Sequence, residues 1–259
     1  MKLALLFSLL ISMTVSASDW LIPISQVRTE LAQGQGLPLG NTIQFRIENP
    51  GAQKISENLS DYQGINAEMT GQNQLDITLD KHHVFTGGIL PRHRHSSFVI
   101  DFDEPSVVGM TEQFKSQYAA PFRIQDIAEF ISVFLDKPSL IHGFNIASKV
   151  AVSKAGDCTE YAVLTTALAR ALGFPARLMV GTTLIEEQRF VLGFGHAWTE
   201  VYADDKWQIL DAALYKANKT QRFYLPIAEL SNEGPGFSLS LISTIGLSPA
   251  ALQDVRSVP

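Results

Sequence analysis

The spacing of apolar positions changes twice along this chain, and the changes divide it. Between Asp19 and about Gln117 the period is two. Thr42-Ile43-Gln44-Phe45-Arg46-Ile47 and Leu75-Asp76-Ile77-Thr78-Leu79 alternate as half-buried strands do, and Ser97 to Phe102 reads as a further strand. Asn49-Pro50-Gly51, Gly71-Gln72-Asn73 and Gly87-Gly88 supply the turns between them. From Ala119 the period becomes that of a helix. Ile124, Ile127, Phe130, Ile131, Phe134 and Leu135 share one face until Pro138 stops it, and a short helix over Ile146 to Lys154 follows.

The next segment is apolar on nearly every face. Tyr161 to Leu172 carries one charge, Arg170, so it predicts a buried helix. Asp157 is its N-cap, Glu160 stands where a capping box needs it, and Gly173 with Pro175 ends it. Alternation then returns. Arg177 to Leu184 is a strand, Ile185 to Gly193 a polar excursion, and Gly195 to Tyr202 and Trp207 to Ala212 are two strands joined through Ala203-Asp204-Asp205-Lys206. Beyond Tyr215 the pattern weakens. Phe223 to Ile227 and Phe237 to Ile242 read as strands, and Gly246 to Pro259 as a short helix and a loose end.

The first residues follow a different logic. Lys2, the apolar run Leu3 to Val15 and the small residues Val15-Ser16-Ala17 resemble an export signal cleaved near position 17. The expected division is therefore a signal peptide at 1–17, a β-rich region at 18–117, a core at 118–230 and a tail at 231–259. The place of action expected is the periplasm or the outside of a bacterial cell, without a stable membrane span after cleavage. A formal net charge of -6 argues against nucleic acid as a partner.

Composition sharpens one position. The chain has a single cysteine, Cys158, so no internal disulfide forms where disulfides would be expected. Cys158 falls at the first turn of the buried helix, where backbone N–H groups and the helix dipole favour a thiolate. His196 and Asp211 lie on the two strands of the later hairpin. A two-residue loop at Ala203-Asp204 puts them directly opposite, and one at Asp204-Asp205 makes them diagonal neighbours on one face. Both registers allow a hydrogen bond that orients the imidazole. Thiolate chemistry needs these parts: a nucleophile, a base that becomes an acid, a carboxylate to hold it, and N–H donors at the helix tip for an oxyanion.

Other chemistry-bearing residues are weaker candidates. His82, His83, His93 and His95, with Arg92 and Arg94 between, lack a carboxylate or thiol at ligand spacing, so no metal or other cofactor is assigned. Parity puts Trp198 on the face of His196, as a wall of the cleft or as sheet core, and Trp207 on the face of Asp211 where the strand is regular. A second oxyanion donor upstream of Cys158 is open among Gln125, His142 and Asn145.

Gly156-Asp157-Cys158-Thr159-Glu160-Tyr161-Ala162, the run Ala169 to Arg177, Gly195-His196-Ala197-Trp198-Thr199-Glu200-Val201 and Trp207 to Ala212 together resemble the core of the transglutaminase-like superfamily, in a small exported bacterial form. The resemblance covers about Ile124 to Ala213. It implies an α+β fold, with a papain-like nucleophile helix packed on an antiparallel sheet. It also implies Cys158 as nucleophile, His196 as base and acid, and Asp211 as orienter, acting on a peptide or protein through a thioester. Hydrolysis is expected over cross-linking, since the chain has neither room for the extra β-domains of animal transglutaminases nor an EF-hand-like loop. The alternative is a non-catalytic module that binds a peptide in the same cleft.

Overall fold

The structure, a computed structural model, describes residues 24–139, 145–187, 189–216 and 221–258, with the backbone alone at Pro138. The expected signal segment and His142 lie outside the described residues. The chain opens with β1 (Ser25–Leu31) and β2 (Thr42–Glu48), then α1 (Ala52–Leu59), β3 (Tyr62–Gly71) and β4 (Gln74–Phe85). A helical stretch follows: α2 (Pro105–Gln117), α3 (Ile124–Phe134), the two-residue strand β5 (Lys137–Pro138), α4 (Ala147–Ser153), β6 (Ala155–Gly156) and α5 (Cys158–Ala171). It closes with β7 (Ala176–Glu186), β8 (Val191–Ala203), β9 (Lys206–Leu210), β10 (Gln221–Glu229), α6 (Phe237–Ile245) and β11 (Ala251–Val258).

Nine strands join one sheet in the order β10-β7-β8-β1-β11-β2-β4-β3, with β9 on β8. All pairs are antiparallel except β1 with β11. The sheet crosses both boundaries anticipated at 117 and 230, because β1 to β4 and β11 continue it beyond β8. The fold is α+β, with α5 laid on the sheet.

β8 organises the molecule. Its odd positions face the helices: Thr199 Oγ1 donates to the Ala162 carbonyl at 2.9 Å and meets Thr166 Oγ1 at 3.0 Å, and Ala197 and Val201 join the helical core. Its even positions face inward across the curled sheet, where Phe194 and Trp198 pack with Met179, Tyr224 and Tyr62 from β3. Helix α5 is buried from Cys158 to Arg170, as its apolar circumference requires. Its end is a Schellman turn: Phe174 N–H reaches the Ala169 carbonyl and Gly173, at φ +90°, reaches that of Arg170.

Several elements differ from the expectations. Ser97 to Phe102 forms no strand, since Val99 N–H bonds to the Glu233 carbonyl and Ile100 N–H to Ser97 Oγ in an irregular lead-in. The region read as β-rich also contains α2, opened by Pro105 at its first turn, with Val107, Met110, Thr111 and Phe114 inward at helical spacing. The polar excursion after β7 is shorter than expected, because pairing continues to Glu186 opposite Val191. Phe237 to Ile242 is the helix α6, which buries Phe237, Leu241 and Thr244 and leaves Leu239 and Ile242 exposed. The expected loose end is β11, between β1 and β2 in the sheet.

Candidate active site

The tip of α5 is fixed by a reciprocal cap. Asp157 Oδ1 accepts from Thr159 N–H at 2.9 Å, and Glu160 Oε2 accepts from Asp157 N–H at 3.0 Å. Glu160 is fully buried; its Oε2 also accepts from Thr159 Oγ1 at 3.0 Å, and its other oxygen takes a third partner, the Asn145 N–H at 3.1 Å. Gly156 is required here. A Cβ at that position would sit 2.2 Å from Glu160 Cβ, so any side chain would expel the capping carboxylate. Burial, and then the charge of Asp157, pushes Glu160 up to about 7.

Cys158 follows this cap and is 2 % exposed. The backbone N–H of Ala197 lies near enough to favour the charged form of its sulfur. The geometry of β8 explains this approach. The strand is paired with β9 over 199–203 and with β1 over 193–195, leaving the stretch between them without a strand partner on that edge. Gly195 turns its carbonyl to that edge, toward Ile24 N–H, so Ala197, two residues on, turns its N–H to the same edge. Burial opposes the thiolate that the helix tip is expected to favour. Desolvation raises the Cys158 thiol well above its ordinary value, Asp157 adds to this, and the Ala197 N–H only partly opposes it.

His196 is fully buried on the inward face of β8. Its Nε2 lies 2.8 Å from Asp211 Oδ2. The hairpin adopts the second of the two permitted registers: Thr199 pairs with Leu210 and Ala203 with Lys206, so the turn is Asp204-Asp205. Both turn residues have positive φ, 52° and 60°, as a type I′ turn demands. Asp211 stands one residue past the end of β9, on the face of Trp198 and His196. Directly across from His196 on β7 is Gly181, where a Cβ would lie 2.1 Å from the Leu225 carbonyl.

Asp211 accepts two further hydrogen bonds, from Tyr224 Oη to Oδ2 at 2.8 Å and from Leu214 N–H to Oδ1 at 3.1 Å. Burial alone would raise this carboxyl. His196, Tyr224 and Leu214 outweigh it and hold Asp211 below its ordinary value. With Nε2 donating to a carboxylate, Nδ1 is the acceptor nitrogen of the ring, and it has no hydrogen-bond partner among the described residues. The structure thus pairs His196 with Asp211 and sets Cys158 at the tip of α5, the helix packed on β8. It adds Tyr224, which the sequence reading assigned no chemistry. Pairing of Tyr224 with Thr183 puts its ring on the face of His196, but no local motif announces it.

The remaining candidates separate. Trp198 stacks on His196 at 6.3 Å between ring centres and is buried in the inward core. Trp207 lies further along the same face, with its indole N–H on the Gly87 carbonyl. Gln125 lines a cavity beside Asp211, whereas Asn145 reaches the site through its N–H on Glu160. The histidines do not gather: His83 bonds to the Asp80 carbonyl, and His93 to Glu229. A second polar network, unannounced in the sequence, surrounds Arg177. Its guanidinium pairs with Glu200, donates to Tyr62 Oη at 2.8 Å and stacks on Phe85 at 3.4 Å from the ring centre.

Residues 108–212 match the family model of the transglutaminase-like superfamily, a span that contains Cys158, His196 and Asp211. Among solved structures the chain is similar to the "Putative Cysteine Protease" from Cytophaga hutchinsonii, with 14 % identity, 79 % of this chain and 78 % of that one covered, and a TM-score of 0.45. It is similar to the periplasmic domain of TgpA from Pseudomonas aeruginosa bound to ethylmercury, with 15 % identity, 76 % and 77 % coverage, and a TM-score of 0.45. No curated protein matches the chain.

Proposed function

We propose that this protein, transglutaminase-like over residues 108–212, is a thiol enzyme that cleaves or transfers acyl groups at peptide or amide bonds. The observation that carries this reading is the imidazole of His196: Nε2 is held by Asp211, and Nδ1 is buried without a partner among the described residues. In the proposed reaction Nδ1 takes the thiol proton as sulfur attacks the amide carbon, and the carbonyl electron pair becomes an oxyanion faced by the Cys158 N–H. The oxyanion collapses, the C–N bond breaks, and Nδ1–H protonates the departing amine. Water, deprotonated by the same nitrogen, then cleaves the thioester to a carboxylic acid and restores the thiol. Burial opposes a resting thiolate, and in this reading proton transfer to His196 accompanies attack on the amide carbon.

Hydrolysis is the favoured outcome, and export to the periplasm or medium the proposed location. No helix among the described residues is long and apolar enough to cross a membrane. The burial of Cys158 supports one competing reading, a non-catalytic module that holds a peptide in the same fold. The lone cysteine makes the test direct. Iodoacetamide labels only Cys158, and its rate against pH reports the thiol. The enzyme reading expects release of an amine or ammonia from a peptide library, abolished in Cys158→Ala, and a labelling profile displaced in His196→Ala. A profile unmoved by His196→Ala, together with peptide binding retained and no product formed, establishes the binding module instead.

A further inference from the structure

A cavity of about 410 Å³ opens on Asp211, the carboxylate of the proposed triad. Its lining gathers Lys81 and His82 from β4, Arg222 from β10, Gln125 from α3 and Tyr215. The charge of this lining departs from that of the molecule, which carries a formal -6. Two permanent cations and one imidazole face the space. The single carboxylate there, Asp211, is already committed to His196, Tyr224 and Leu214. Two further acids stand just outside the lining: Glu129 accepts from Tyr215 Oη at 3.3 Å, and Asp80 accepts from the His82 N–H at 2.6 Å. Among the described residues the Lys81 ammonium makes no ion pair, and Lys81 is half-buried in the cavity wall.

The cavity is also wired to the triad. The Arg222 side chain bonds to Tyr224, Tyr224 Oη donates to Asp211 Oδ2, and the same oxygen holds His196 Nε2. Arg222 therefore lies two hydrogen bonds from the carboxylate that orients the imidazole, and a group seated against it lies three away.

We propose that this cavity is the subsite for a carboxylate of the substrate, so that the enzyme selects acidic acyl or amine fragments over neutral and basic ones. The proposal rests on the thiol-enzyme reading for the word substrate, and on the lining alone for the charge. The carboxylate comes from one of two sources, an acidic side chain or the free C-terminus of a peptide. A cationic lining with no free acid repels lysine-like groups and offers donors to either.

The test uses short bromoacetyl peptides that alkylate Cys158 in the full chain. One set carries Glu at the first, second or third position with an amidated C-terminus. The second carries Gln with a free C-terminus, and a fully amidated Gln set is the neutral reference. At low salt a carboxylate set labels about fivefold faster than the reference, a gain of the size expected for one partly exposed ion pair of good geometry. Which set gains identifies the source. The advantage falls to parity in Lys81→Ala and returns in Lys81→Arg. Equal rates for all three sets, or an advantage unmoved by Lys81→Ala, overturn the proposal. The same peptides without the bromoacetyl group, bound to Cys158→Ala and followed by fluorescence anisotropy, separate the two ideas. A carboxylate preference there, with no product from the wild type, keeps the subsite and refutes the enzyme.

Discussion

At the scale of residues, the site turns on how one thiol and one carboxylate are tuned. Asp157 caps the helix and, through its charge, also raises the Cys158 thiol beyond the effect of burial. Asparagine caps as well as aspartate, so Asp157→Asn keeps the bond from Thr159 N–H and removes the charge. The thiol is then easier to ionise: the midpoint of iodoacetamide labelling moves to lower pH, with little change in thermal unfolding. A midpoint unmoved in Asp157→Asn contradicts the charge assignment. Tyr224 acts on the other end. Its hydrogen bond helps hold Asp211 low, so Tyr224→Phe raises the carboxyl and moves the acid limb of the rate profile to higher pH. Loss of one such bond costs about tenfold in turnover, since Tyr224 positions Asp211. The place of Cys158 at a capped helix tip and of His196 beside Asp211 was legible in the sequence because helix caps and hairpin parity are local rules. Tyr224 was not, because it reaches Asp211 only through the pairing of β10 with β7.

At the scale of elements, two short stretches set the geometry. The run Gly156 to Glu160 fixes the helix tip by a cap whose carboxylate occupies the space beside Gly156. The turn Asp204-Asp205 fixes the register that brings Asp211 diagonal to His196, and both of its residues carry a backbone that glycine or asparagine adopts more readily. Asp205→Gly relieves one such strain, offset in part by the added freedom of the unfolded chain. The expected gain is about 0.5 kcal/mol in urea unfolding, with labelling of Cys158 unchanged. A loss of stability would mean that the Asp205 side chain holds the turn by a bond of its own. Strong periodic segments such as α3 and α5 declared themselves. Short ones did not: Phe237 to Ile242 fits a period of two as well as its helix, and Ala251 to Val258 carries Asp254 and Arg256 outward from a strand whose partners lie some 200 residues earlier.

At the scale of the molecule, the N-terminal strands curl over the inward face of β8 and are tied there by ions. Glu200 on β8 and Arg177 on β7 pair, Tyr62 from β3 joins both, and Glu229 on β10 takes Arg92 at 2.8 Å and His93 at 3.2 Å from the segment after β4. Nothing local in the sequence joins these positions, since each contact spans a long stretch of chain. Together they clamp three parts of the sheet around the face that carries His196. Glu229 makes the clamp testable by pH. Burial opposes its charge, but His93 and Arg92 outweigh that and bring it from an ordinary 4.5 to about 2. The native protein therefore binds fewer protons than the unfolded chain between those values, so this contribution is complete above about pH 4.5 and disappears as pH falls through about 2. The shift corresponds to about 3 kcal/mol at neutral pH. Glu229→Gln should lower stability by up to that amount at pH 7, and its urea-unfolding free energy should converge on that of the wild type as the solution is acidified toward pH 2. A difference between the two proteins that stays constant across that range would assign the cost to lost packing and remove the ionic clamp from the account of how the N-terminal strands hold the site.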